Sequence, residues 1–161
     1  MTDRNRDPDG RARNARPRDE LGRPLPPGSI GVERIPDDLD LDPAESLRYA
    51  QELLDRGRAF HAHEVLEAAW KNGPDTERNL WQGLTQLAVG ITHIQRGNRK
   101  GALLLLRRAA ARLAAEPPPP YRIDITGLTE FAAALVAELT AGTAPDRIAA
   151  TRLRPALTTD G

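Results

Sequence analysis

The chain has 161 residues, and 23 Lys and Arg balance 23 Asp and Glu to give a formal net charge of zero. Balanced charge removes the general attraction to nucleic acid or anionic membranes that a basic excess supplies, and leaves only local patches to consider. Because the chain has no cysteine, disulfide frameworks, zinc–thiolate sites, iron–sulfur clusters and cysteine nucleophiles are excluded. No secretory segment and no bilayer-length apolar run is seen, which predicts a cytoplasmic location.

The first 40 residues lack the pattern of a folded domain. They are rich in Arg, Asp, Pro and Gly and contain no aromatic residue, whereas all aromatic residues lie between positions 49 and 131. Such a segment buries too little apolar surface to offset its ordering entropy. Residues 1–41 are therefore predicted to form a disordered arm, in which Ile30, Val32 and Ile35 are the residues able to touch the domain.

Capping signals divide the next hundred or so residues into helices. Asp42-Pro43 supplies an N-cap and a first-turn proline, and Glu45 completes a capping box. Asn72-Gly73-Pro74 stops the second helix, Gly97-Asn98 ends the third and caps the fourth, and Thr126 is predicted to cap the fifth. The predicted helices span 43–57, 58–71, about 76–96, 99–115 and 127–141.

The first four helices show a weak internal repeat. At an offset of 40 residues the first helical hairpin matches the second at four positions, which are Gly57 with Gly97, Ala62 with Ala102, Leu66 with Leu106, and Ala69 with Ala109. Such hairpins resemble tetratricopeptide-type units, but two units are too few for a solenoid. We therefore predict an all-α fold: a compact bundle of about five helices over 42–142, built from two helical hairpins and a C-terminal helix, followed by a loosely attached tail over 143–161.

Ionisable groups fall within the predicted apolar face of the second helix. At about 100° per residue, Phe60, Leu66 and Trp70 define that face, and His63 and Glu67 lie in its middle. Glu64 falls at its edge and His61 points away. Because burying a carboxylate without a partner is heavily penalised, we expect His63 and Glu67 to be held by other polar groups.

The third helix supplies the predicted partners. Leucines and isoleucines line one side, from Leu80 to Ile94, and a second side carries Gln82, Gly83, Gln86, Gly90 and His93. The two glycines would let a neighbouring backbone come close. If that neighbour is the second helix, then His63, Glu67, Gln86 and His93 converge in one pocket capped by Trp70.

These residues carry a family resemblance. Phe60, His63-Glu64, Glu67 and Trp70, followed by Gln82-Gly83, Gln86, His93, Gly97-Asn98 and Gly101-Ala102, resemble the signature of the bacterial and plastid family called domain of unknown function 309. The resemblance covers about positions 43 to 142 and leaves the N-terminal arm outside. It implies a small all-helical bundle and brings no established activity.

Two interpretations of the polar residues remain open. In one, they form a buried hydrogen-bond network that fixes the register of packed helices. In the other, they bind a small ligand or a divalent metal, with His63, Glu67 and His93 as metal ligands and Glu64, Trp70, Gln82 and Gln86 as further ligand-binding candidates. Catalysis stays uncertain, because position 67 is Glu and the spacing departs from the H-E-x-x-H pattern of metalloproteases.

The remaining candidates concern partners. Trp70 and Trp81 could stack on a ligand, but a helix tryptophan beside an apolar stripe is more often core. The fourth helix has a basic face, Arg99, Lys100, Arg107, Arg108 and Arg112, which either binds phosphate or is a solvated face paired with acids. No aromatic residue interleaves it, which argues against recognition of single-stranded nucleic acid. The alternative function is a helical-hairpin module that binds another protein, with a purely structural polar cluster.

Overall fold

The computed structural model describes residues 17–26, 28, 30–32, 35–36 and 38–159. Five α-helices follow in order: α1 (Pro43–Asp55), α2 (Ala59–Asn72), α3 (Arg78–Gln95), α4 (Arg99–Ala114) and α5 (Ile125–Thr140). Short 3₁₀ turns lie at Asp75–Glu77, Pro120–Arg122, Pro145–Arg147 and Ala150–Leu153. The described residues contain no strand beyond two isolated bridges. The predicted all-α class is confirmed.

Side-chain caps mark the beginning of α1, α4 and α5. The Asp42 carboxylate accepts from the Glu45 backbone N–H at 2.8 Å, so α1 begins at Pro43 as predicted. α5 begins two residues earlier than expected, because Asp124 rather than Thr126 is its cap and accepts from the Gly127 N–H at 3.0 Å. No helix in the described part of the chain has the length and apolar character needed to cross a membrane.

The two helical hairpins share the same turn. In each, a glycine with positive φ, 75° at Gly57 and 76° at Gly97, precedes a residue whose N–H donates to the carbonyl five residues earlier at 2.8 Å. Two of the four matched pairs are fully buried in both units: Ala62 with Ala102, and Leu66 with Leu106. The repeat seen in the sequence therefore corresponds to two hairpins of similar geometry.

Helix α3 is the centre of the bundle, packed against α2 on one side and α4 on the other, while α1 packs on α2 and α5 on α4. Its predicted apolar side is buried throughout, from Leu80 to Ile94. A Cβ at Gly83 would lie 2.9 Å from Leu113, and one at Gly90 would lie 2.8 Å from Leu106. The helix that approaches these glycines is thus α4, and the prediction that it is α2 is wrong.

The buried face of α2 also differs from the prediction. Its buried residues are Ala59, His61, Ala62, Val65 and Leu66, a face turned by about 100° from the predicted one. Small alanines on this side allow close packing against the neighbouring helices. As a result His61 is buried, 2% exposed, and does not point away. His63 and Glu67 lie on the outer side with Phe60.

The C-terminal segment is part of the core, so the expected loose attachment does not describe residues 143–159. Ile148, Leu153 and Leu157 are buried. The Gln51 side chain on α1 donates to the Pro155 carbonyl at 2.9 Å and accepts from the Leu157 N–H at 2.8 Å. The Gln51 amide thus binds two backbone groups of the segment, as the backbone of an adjacent chain segment would. Hydropathy alone does not indicate such a contact.

The predicted arm is only partly within the described residues, because 1–16 lie outside them. Of the three residues expected to touch the domain, Ile35 is buried at 5% exposure, Val32 is half-buried, and Ile30 is 98% exposed. Residues 17–26 lie against α2 and the end of α3. Disorder therefore does not describe this part of the arm, and 42–142 as a separate domain stays a prediction.

Candidate functional site

Three ionisable side chains form a row on the outer side of α2. The His63 Nε2 lies 3.4 Å from the Glu67 carboxylate, and the Lys71 ammonium lies 3.0 Å from the other Glu67 oxygen. The hydrogen bond with His63, aided by Lys71, outweighs burial and lowers the pKa of Glu67 to about 2. Glu67 is therefore an ionised carboxylate held between two cation-forming groups.

The orientation of His63 follows from its two ring nitrogens. Its Nδ1 contacts the Phe60 backbone carbonyl, and its Nε2 faces Glu67. Contacts within α2 hold both ring nitrogens of His63. This arrangement is typical of a structural residue rather than of one that is free to bind a ligand.

The two candidate glutamines belong to a different network. Arg112 on α4 donates through Nε to the Gln86 carbonyl oxygen at 3.1 Å and through Nη1 to Gln82 at 3.0 Å. The same Nη1 donates to Asn79 at 2.7 Å. Because these amides face α4, they are separated from the His63–Glu67 pair on the outer side of α2.

His93 lies at the end of α3 beside the second hairpin turn. Its Nδ1 is 3.1 Å from the Asn98 amide nitrogen, and the backbone of Gly101 lies so close that a Cβ there would be 2.8 Å from the ring. Burial, with a smaller contribution from Arg96, lowers the pKa of His93. His93 therefore supports the turn between α3 and α4.

The two tryptophans have different environments. Trp81 is fully buried, and its indole N–H donates to Glu77 at 3.1 Å, where Tyr121 also donates. Trp70 is half-buried against the core, with the Arg78 guanidinium 5.9 Å from its ring centroid. Both rings pack on the bundle, as helix tryptophans usually do.

The residues predicted to converge are thus divided among separate places. His63 and Glu67 pair on α2, Gln82 and Gln86 bind Arg112, and His93 contacts the Asn98 turn. Glu64 and Glu67 line a cleft of about 100 Å³ closed by Ile35 and Pro36. Within the described residues no group of three or more His, Asp or Glu side chains could hold a metal ion. The single shared pocket is not present, and ligand binding by these residues stays a prediction.

Buried His61 was missed by the sequence reasoning. Its Nδ1 has no hydrogen-bond partner in the described part of the chain, and burial, followed by Arg58, lowers its pKa. A histidine flanked by alanines on the packed side of a helix was the available signal. Its neutral imidazole behaves as a core group.

A second surface lies on the outer side of α4. It is an open, shallow depression whose floor is apolar and whose rim is basic, lined by Lys100, Leu103, Leu104, Arg107, Arg108 and Ala111. Leu104 is 47% exposed, which makes it one of the few large apolar side chains left uncovered among the described residues. The helix core side, with Ala102, Leu106, Ala109 and Leu113, is on the opposite face.

Fold and surfaces together define a small all-helical domain made of two hairpins and a capping helix. Residues 47–105 match the family described as Domain of unknown function (DUF309). This part of the chain is therefore similar to that family, as the residue pattern predicts. It is also 46% identical over 44 residues to the "Uncharacterized protein YpuF" of Bacillus subtilis (strain 168), a match that covers 27% of this chain and 25% of that protein. The chain thus spans about a quarter of that relative's length. No solved structure matches the chain.

Proposed function

We propose that the protein is a helical interaction module that binds an acidic, amphipathic segment of a partner protein through the outer face of α4. One observation carries the proposal: this face combines an uncovered apolar strip with basic side chains that have no acidic partner among the described residues. Neither the family description nor the name of the Bacillus subtilis relative states an activity. The proposal therefore rests on the chemistry of the surface.

The residues of the face recur every three or four positions along α4, from Lys100 to Ala111. They form a continuous stripe roughly 16 Å long, at a rise of about 1.5 Å per residue. A second helix laid along this stripe would meet Leu103 and Leu104 with its apolar side. The rim cations then stand beside it, where glutamates at the same spacing can pair with them.

The cations of α4 differ in what they contact. Arg112 is committed to three amides of α3, and Arg99 donates to the carbonyls of Gly142 and Thr143. By contrast, no carboxylate of the described residues forms an ion pair with Lys100, Arg107 or Arg108, and Arg107 has only a long contact of 3.5 Å with Thr140. Their charge is available to a partner.

Charge complementarity selects the occupant. A second copy of the chain laid face to face would place like charges together, which is unfavourable. Residues 1–16 carry five Arg and three Asp and are therefore also basic. A membrane surface requires a broader apolar side than Leu103, Leu104 and Ala111 provide. An acidic segment with leucine-like anchors matches both parts of the face.

A synthetic helical peptide tests the proposal. The probe has about 18 residues, with leucine at every third or fourth position and glutamate on both flanks. Fluorescence anisotropy with the full chain is expected to give micromolar affinity that weakens in high salt. The combined change Lys100→Glu, Arg107→Glu and Arg108→Glu is expected to weaken binding at least about tenfold, since it reverses the rim charge.

A matched control variant distinguishes the effect of charge on the α4 face from the effect of the net charge of the chain. Arg48→Glu, Arg56→Glu and Arg154→Glu change three exposed arginines elsewhere and alter the charge by the same amount. This variant should bind like the wild-type chain. Equal loss in both variants, equal binding of a peptide with lysine in place of glutamate, or no binding to the wild type would each refute the proposal.

A further inference from the structure

Phe60 is an aromatic residue on the outer side of α2, opposite the side that packs into the bundle. Its ring is only half-buried, and the cover comes from the N-terminal segment 17–26, which we call the arm turn. The family match over 47–105 contains Phe60 but not the arm turn. A surface of the domain is therefore covered by a segment that lies outside the matched region.

The contacts between the two parts are specific. The Arg18 guanidinium lies 5.0 Å from the Phe60 ring centroid, and that of Arg96 lies 5.3 Å from it. Arg96 also donates through Nε and Nη2 to the Leu21 carbonyl at 3.0 and 2.9 Å. The backbone of Gly22 lies directly on the ring, so that a Cβ at this position would overlap it.

The arm turn is held together by its own hydrogen bonds. The Asp19 carboxylate accepts from the N–H groups of Leu21 and Arg23 at 3.0 and 2.9 Å, and it pairs with the Arg23 side chain at 2.7 Å. The Arg18 side chain donates to the Gly22 carbonyl. A short peptide of residues 17–26 retains all of these hydrogen bonds and lacks the one that the Val32 N–H donates to the Arg18 carbonyl.

Docking of the arm turn is separate from formation of the core. No residue of 17–26 belongs to the buried apolar cluster of the bundle, which begins with Ile35. The contacts that hold the turn are cation–ring contacts and hydrogen bonds near the surface, each of which contributes modestly. The turn can therefore leave while the bundle stays folded.

We infer that the surface formed by Phe60 and Arg96 is a peptide-docking site, filled in this chain by its own arm turn. The site accepts from another protein a turn of the same chemistry: an arginine, an aspartate after it, and a glycine four residues after the arginine. The guanidinium stacks on Phe60, the glycine fits against the ring, and the backbone carbonyl before the glycine binds Arg96. This inference is independent of the α4 surface.

The arm turn of the same chain competes with an added peptide for the site. A tethered segment acts at an effective concentration of about a millimolar, so an added peptide competes poorly with it. Releasing the arm turn should expose the site. Gly22→Leu does this in the full chain, because a side chain there overlaps the Phe60 ring and φ is +78°.

The probe is a fluorescein-labelled peptide of residues 17–26, PRDELGRPLP, and its anisotropy is measured with full-length chains. Gly22→Leu is expected to bind the peptide at least about tenfold more tightly than the wild type. Glu20→Leu, an exposed change in the same segment, should bind as weakly as the wild type. Adding Arg96→Ala to Gly22→Leu should abolish binding, with thermal melting used to confirm that each chain is folded.

Equal peptide binding by the wild type and Gly22→Leu would overturn the inference, since the arm turn would then not occupy the site. Binding that survives Arg96→Ala in a folded chain would also overturn it, because the peptide would be held elsewhere. Wild-type dimers that the peptide dissociates would support the site and identify the arm turn of a second copy as an occupant.

Discussion

Replacing Arg112 by methionine tests whether the candidate glutamines are structural. Methionine keeps the length of the side chain but removes the guanidinium, and three amide oxygens, of Asn79, Gln82 and Gln86, then lose their donor. Hydrogen bonds to charged groups contribute about 1.5–3 kcal/mol each when buried. Arg112 is half-buried and the amides can partly rehydrate, so we expect a total loss of about 2 kcal/mol.

Removing the amides as well should reverse most of this loss. With Arg112→Met, Gln82→Leu and Gln86→Leu made together, two of the three unsatisfied oxygens disappear and apolar groups take their place between α3 and α4. The combined variant should therefore lie within about 0.5–1 kcal/mol of the wild type. Such non-additivity is the signature of a shared network.

Urea denaturation followed by circular dichroism gives the free energies, and a loss of about 2 kcal/mol corresponds to roughly 4–8 °C in melting temperature for a chain of this size. Arg108→Met, one helical turn away on the open face, is the matched control and should change stability by less than about 0.5 kcal/mol. A similarly small effect of Arg112→Met would refute the structural role and return Gln82 and Gln86 to the ligand-binding candidates.

Three further changes test the packing and the charges. Gly90→Ala should cost about 1 kcal/mol in urea denaturation, because overpacking against Leu106 exceeds the gain in helix propensity, and Leu106→Ala in the same chain should relieve that clash. Leu157→Ala should cost about 2–3 kcal/mol by the same measurement, whereas a tail detached from the core would lose almost nothing. The pKa of Glu67 is about 2 in the folded chain against an ordinary 4.5, so the ionised carboxylate stabilises the folded state. This stabilisation is fully present above about pH 4.5 and is lost as the pH falls towards 2. Because the side chain is 34% exposed, Glu67→Gln should cost only about 1 kcal/mol at neutral pH and nothing near pH 2, and a pH-independent difference would contradict this.

Local features of the fold could be predicted from the sequence because they depend on nearby residues. Residues within one or two helical turns determine each of these features: the Asp42 cap, the Gly57 and Gly97 turns, and the apolar stripe of α3. The buried side of α2 could not be predicted in this way. Its alanines carry little hydropathic signal, and Phe60, which carries much more, is covered by a segment about 40 residues earlier in the chain.

The prediction that the candidate site residues share one pocket was wrong for a related reason. Gly83 and Gly90 correctly indicated that a helix comes close to α3, but periodicity does not say which neighbour occupies which side. Since α4 lies against the glycines, Gln82 and Gln86 meet Arg112 instead of His63. The C-terminal segment was missed because Ile148, Leu153 and Leu157 follow no helical period. Gln51, whose side chain binds this segment, lies about 100 residues earlier in the chain.

The internal repeat connects the two proposed surfaces. At the same offset of 40 residues, positions on the outer side of α2 correspond in sequence to positions on the open face of α4. The pairs are Phe60 with Lys100, His63 with Leu103, Glu64 with Leu104, Glu67 with Arg107, Ala68 with Arg108, and Lys71 with Ala111. On α2 this side is covered by a segment of the chain, whereas on α4 it is open in the described structure. Phe60, on which the arm's Arg18 stacks, is replaced by Lys100, and Glu67 is replaced by Arg107, so the two sides should select segments of different charge. An acidic partner on α4 is therefore the counterpart of the arginine-bearing arm turn on α2.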